Sequence, residues 1–108
     1  MTAIKYQKPV KSIKIGKFTI KGKKFKKNLW CDLNKYSKLA GAKRRITVTP
    51  ATGWEVIDIK YMGTGDMRRV ENGKKVKIDL GVESCFLITL WKQVDGKYFI
   101  VDLVVYLM

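Results

Sequence analysis

The stretch from Cys85 to Met108 constrains this chain more than any other. An apolar run, Cys85-Phe86-Leu87-Ile88-Thr89-Leu90-Trp91, leads to Val94-Asp95-Gly96-Lys97 and then to Tyr98-Phe99-Ile100-Val101-Asp102-Leu103-Val104-Val105-Tyr106-Leu107-Met108. Asp95-Gly96 is a pair that accepts the positive φ angles of a tight turn, and both flanks are rich in β-branched and aromatic residues, so the stretch predicts a β-hairpin. In its second arm Phe99, Val101, Leu103, Val105 and Leu107 fall on one face, and burying each contributes about 1.5 to 3 kcal/mol. Together they rival the net stability of a whole domain, about 5 to 15 kcal/mol, so this face must be covered. The opposite face, with Ile100, Val104, Tyr106 and Met108, is also largely apolar. Such a strand either lies inside its sheet or is covered by a second protein.

Upstream, short alternating segments are separated by turn residues. Residues 1–11, ending in Lys8-Pro9-Val10-Lys11, read as an extended basic arm, because proline removes a donor and disfavours helix before it. Ile13 and Ile15 alternate with lysine, and the parity changes at Gly16, so Ile13 to Ile20 is one bent strand or two short ones. Leu29, Cys31 and Leu33 alternate with Trp30 and Asp32, and Asn34 to Ala42 holds room for a turn of helix through Tyr36 and Leu39. Ile46 to Thr49, Trp54 to Met62 (with Ile57, Ile59 and Tyr61 aligned), Met67 to Val70 and Val76 to Leu80 complete the strands. A chain of 108 residues is the size of one domain. The expected fold is a single all-β domain over 1–108, a sandwich of about seven or eight short antiparallel strands.

The order Ile46-Thr47-Val48-Thr49-Pro50, Gly53-Trp54-Glu55-Val56, Lys77-Ile78-Asp79-Leu80, Phe86-Leu87-Ile88-Thr89-Leu90 and Asp95-Gly96-Lys97 before a last strand resembles bacterial and phage immunoglobulin-like domains. The resemblance covers about Ile46 to Met108 and implies an immunoglobulin-like β-sandwich. Those domains often carry small polar residues on the outer face of the last hairpin. Here Trp91, Tyr98, Val104 and Tyr106 stand instead, which marks them as a candidate assembly surface. Cys31 and Cys85, with Trp54 between them, invite comparison with the cysteine, tryptophan, cysteine layout of such domains. In an intracellular protein they are expected to be reduced, small apolar residues.

The formal net charge is +14, and its distribution is uneven. Residues 1–45 carry 15 Lys or Arg against the single acid Asp32, whereas residues 46–108 carry 8 of each sign. This asymmetry implies an acidic partner for the N-terminal portion, either nucleic acid, an anionic lipid surface or an acidic protein face. The candidate contacts are Lys14, Lys17, Lys21, Lys23, Lys24, Phe25, Lys26, Lys27, Arg44 and Arg45. Lysines neutralise phosphates or carboxylates and a flat ring stacks on an unpaired base, so the interleaving of Lys17 to Lys27 with Phe18, Phe25 and Trp30 also suits a single strand of nucleic acid. Phe18 and Trp30 are expected in the core, which leaves Phe25 as the exposed ring. Lysine predominates over arginine, which favours nonspecific attraction over base reading.

Catalytic readings fare poorly. The chain has no histidine, so the usual general base near neutral pH and any Ser-His-Asp or Cys-His arrangement are absent. Asp58, Asp66, Asp79, Asp95 and Asp102 lie on separate segments and form no metal-binding motif. Gly16, Gly22, Lys23 and Lys24 miss the spacing of a phosphate-binding loop, and Gly63-Thr64-Gly65 lacks the third glycine of a dinucleotide turn. No metal, cofactor or catalytic residue is expected. With no signal-peptide-like start and no membrane-spanning run, the expected setting is a virion or a host cytoplasm. The leading expectation is a noncatalytic structural protein, an auxiliary, decoration or minor virion protein of a phage, docking through its basic N-terminal portion on capsid proteins or another acidic protein assembly. The alternative is a small OB-like nucleic-acid-binding barrel. Self-association through the last strand is a further expectation.

Overall fold

The computed structural model describes residues 8–25, 28–63, 67–80 and 84–107. Asp95 and Gly96 adopt φ of 51° and 77°, the pair of positive angles that a two-residue hairpin matched to strand twist requires. The described strands are β1 (Val10–Ile15), β2 (Phe18–Lys21), β3 (Trp30–Asp32), β4 (Lys43–Pro50), β5 (Trp54–Met62), β6 (Met67–Arg69), β7 (Lys75–Lys77), β8 (Cys85–Val94) and β9 (Lys97–Tyr106). A 3-10 turn spans Gly22–Phe25 and a short helix, α1, spans Tyr36–Leu39.

The strands form two sheets, β2-β1-β4-β7 and β3-β9-β8-β5-β6. Their inner faces meet in one core, with Ile13, Ile15, Ile46 and Val48 from the first sheet and Ile59, Tyr61, Phe86, Ile88, Leu90, Leu103 and Val105 from the second. This is the expected all-β sandwich. It corrects the expectation of antiparallel pairing throughout, because β3 runs parallel to β9, with Trp30 opposite Val104 and Asp32 opposite Tyr106. β3 and β9 are joined through everything from α1 to β8, a connection of the length that parallel neighbours need and a hairpin cannot supply.

Several local expectations are decided or revised. Gly16, at φ 59°, is the first residue of a tight turn, so Ile13 to Ile20 is two strands paired Ile15 with Phe18. The register of β5 on β8 shifts between Val56 and Asp58. This irregularity turns Ile57 outward, 43% exposed, while Ile59 and Tyr61 remain inside. Leu80 is 73% exposed because β7 ends at Lys77 and the chain has left the sheet. Of the expected arm over 1–11, the described end is not an arm: Pro9 and Val10 are buried, and Val10 and Lys11 belong to β1. Met1 to Gln7, Lys26, Lys27 and Met108 lie outside the described residues.

The aromatic assignments exchange places. Phe25 is fully buried, whereas Trp30 is 50% exposed. The 3-10 turn folds so closely over β1 that a Cβ on Gly22 would collide with the Val10 carbonyl oxygen. Only glycine permits this approach, and it delivers Phe25 into the core. Trp30 pairs with Val104 on the outer side of its sheet and meets Tyr106 edge-on at 6.4 Å. Cys31 sits opposite inward-facing Val105, and Cys85 opposite outward-facing Tyr106. The two thiols therefore lie on opposite faces, and both are free. Burial raises the pKa of each, reinforced at Cys31 by neighbouring Asp32 and opposed there by Lys24.

Candidate docking surface

The sandwich has two outer faces, and they differ in kind. Alternation along β1, β2, β4 and β7 buries Ile13, Ile15, Ile20, Ile46, Val48 and Val76. The same alternation turns outward Lys14, Lys21, Lys43, Arg45, Lys75 and Lys77, with Ser12, Thr19, Thr47 and Thr49 among them. None of these four strands contains Asp or Glu. The positive field therefore spans the width of the sheet, with no carboxylate on its strands to quench it.

Register sharpens the observation. Lys43 is directly opposite Lys77, and Arg45 directly opposite Lys75. Cross-strand partners share a face, and like charges placed so destabilise a sheet. The guanidinium of Arg45 is turned aside to donate to the Gly73 carbonyl, which moderates the second clash. The Lys43 and Lys77 ammonium groups are both exposed to solvent.

The expected basic contacts fall into separate places. Lys14 and Lys21 lie on the sheet face, with Lys17 in the adjoining turn beside the Phe18 ring, 5.7 Å from its centroid. Lys23 and Lys24 project from the 3-10 turn at the β2 edge. Arg44 is half-buried and points inward, its guanidinium donating to the carbonyls of Leu39 at 3.1 Å and Lys38 at 2.9 Å. It secures the end of α1 and does not join the face. Phe25, being buried, offers no ring to a ligand. Lys43, Lys75 and Lys77 are the cations of this face that the sequence reading missed. Counting charge by chain halves hid the two in β7, because only strand pairing brings them beside β4.

The outer face of β3-β9-β8-β5-β6 carries the rings. Trp91 and Tyr98 stack at 4.8 Å with planes 8° apart, and the Trp91 indole N–H donates to Glu55 at 2.8 Å. Tyr98, Ile100 and Tyr106 are 55%, 62% and 42% exposed, with half-buried Val104 on the same side. The four expected assembly residues thus share one sheet face, on the other sheet from Lys14, Lys21, Lys43, Lys75 and Lys77; Lys60 and Arg69 stand on it too, by register with Leu87 and with each other. This face also holds Asp32, Glu55, Asp58 and Asp102, by register with Tyr106, Trp91 and Thr89. Asp58 accepts a hydrogen bond from Arg69 at 2.9 Å, and that bond, with the charges of Arg69 and Lys60, holds its carboxyl below the ordinary carboxylate range against a smaller opposing effect of burial. Asp102 accepts one from Thr89 at 2.6 Å.

Among the described residues there is no group of His, Cys, Asp and Glu able to hold a metal ion, and no helix long and apolar enough to cross a membrane. No family model matches the chain, and neither a curated protein nor a solved structure matches it.

Proposed function

We propose that this chain is a noncatalytic structural protein that docks through the basic face of β2-β1-β4-β7 on an acidic face of a larger protein assembly, in the manner of an auxiliary or decoration component of a phage particle. One observation carries the reading: cations stand directly opposite one another in β4 and β7 on a face whose strands contain no acid. That arrangement is unfavourable in the free protein, and an apposed layer of carboxylates relieves it.

The placement of the rings favours protein over nucleic acid. The rings that would stack on a single strand are buried, as Phe25 is, or lie on the other sheet, as Trp30 does.

The test compares wild type with a Lys43→Gln, Lys75→Gln, Lys77→Gln variant on a planar carboxylate-terminated monolayer and with labelled duplex DNA, near physiological salt. The wild type should be retained on the monolayer, and the variant should bind at least about tenfold more weakly. Because the substitutions remove like-charge pairs, the variant should also melt at a higher temperature than the wild type. DNA binding that exceeds retention on the monolayer and survives physiological salt would replace this reading with a nucleic-acid one. Unchanged retention of the variant would remove the sheet face from consideration.

A further inference from the structure

Between the open edge of the first sheet and that of the second lies a cleft, walled by Thr19, Lys21, Lys23 and Lys24 on one side and by Asp32 and Lys35 on the other. Lys35 reaches across it, its ammonium 5.5 Å from the Phe18 ring centroid. Four of these side chains are cationic and one is anionic, so the cleft selects negative charge.

The backbone adds a second requirement. In the two-residue hairpin Ile15 and Phe18 form the bonded pair next to the turn, and bonded and unbonded pairs then alternate. The N–H and C=O groups of Thr19 and the N–H of Lys21 therefore point away from β1 to the edge, where no described strand pairs with β2; the Lys21 C=O takes the first bond of the 3-10 turn that starts at Gly22. On the other wall, Val104 N–H donates to Leu29 and Leu33 N–H donates to Tyr106. Alternation then turns the N–H and C=O groups of Trp30 and Asp32 outward. Both walls thus offer donors and acceptors in strand spacing. A phosphodiester backbone supplies acceptors alone and leaves the carbonyls unmet, whereas an extended peptide supplies both groups in alternation.

We infer that this cleft takes an extended acidic segment of the partner protein, which adds to the β2 edge by backbone pairing while its carboxylates meet Lys21, Lys23, Lys24 and Lys35. The inference rests on the docking reading above and assigns the partner a strand-forming acidic segment in addition to an acidic face.

The probe is a fluorescein-labelled peptide of alternating Glu and Thr, followed by anisotropy and by amide hydrogen exchange. Two cleft variants are used. Lys23→Glu with Lys24→Glu reverses charge at exposed positions, and Thr19→Pro removes an N–H that faces the open edge, so no bond to β1 is lost. Each should weaken peptide binding at least about tenfold, while the Lys43→Gln, Lys75→Gln, Lys77→Gln variant changes it less than about threefold. The Thr19 and Lys21 amides should exchange more slowly when peptide is bound. Unchanged exchange at these amides, wild-type affinity in the charge-reversal variant, or an equal loss in the sheet-face variant each overturns the inference. If the peptide fails to bind while the carboxylate monolayer still retains the wild type, the cleft assignment falls and the docking face stands; failure of both removes both.

Discussion

Tyr61 shows how much one side chain organises. Its ring is fully buried against Phe86 at 5.4 Å, and its hydroxyl lies 2.7 Å from the Ser84 hydroxyl while accepting the Asp79 N–H at 2.8 Å. It thereby ties β5 to the two chain segments that flank β8 and follow β7. Tyr61→Phe should destabilise the fold by about 1 to 3 kcal/mol in urea denaturation, because the buried bonds of its hydroxyl to the Ser84 hydroxyl and the Asp79 N–H are both lost. The inward placement of Tyr61 was legible from its alternation with Ile59. Its partners were not, since they come from segments distant in sequence. Phe25 marks the same limit from the other side. It stands in a lysine-rich stretch with no periodicity to decide its burial, and what decides it is the approach of Gly22 to Val10, a contact visible only in three dimensions. Trp30 was legible after all: its alternation with Leu29, Cys31 and Leu33 sets it on the side of Asp32, and β3 turns that side outward.

At the level of elements, the hairpin of β8 and β9 was the most legible because two independent signals agree on it, the alternation of the arms and the Asp95-Gly96 turn. β5 shows what defeats such reading: a register shift moves Ile57 outward without any glycine or proline to announce it. The docking face was half legible. The lysines of β1, β2 and β4 stand in one stretch of chain, but their neighbours in β7 arrive by pairing alone. The 3-10 turn gives a prediction at this scale. Gly22→Ala should push that turn off β1, since the added carbon meets rigid backbone and not a flexible side-chain end. The expected cost is about 1 to 3 kcal/mol, with exposure of Phe25 reported by increased binding of an apolar dye. A melting temperature equal to that of the wild type would show that the turn has room to move.

The whole molecule is elongated, with extents of 49 × 23 × 22 Å, and carries +14 net charge. With cations massed on one sheet and most carboxylates elsewhere, the folded state works against its own repulsion. The screening length falls from about 10 Å in 0.1 M salt to about 3 Å in 1 M, so raising NaCl over that interval should raise the melting temperature. The Lys43→Gln, Lys75→Gln, Lys77→Gln variant should show a smaller rise. Equal rises in both proteins would place the repulsion elsewhere.

The separation of the two outer faces also gives the molecule a direction. Whatever attracts the lysines brings the protein down on one side, and Trp30, Trp91, Tyr98, Ile100 and Tyr106 are then turned outward together. An acidic surface coated in this way presents rings interleaved with Asp32, Glu55, Asp58 and Asp102, so that its next neighbour is chosen by oiliness as well as by sign.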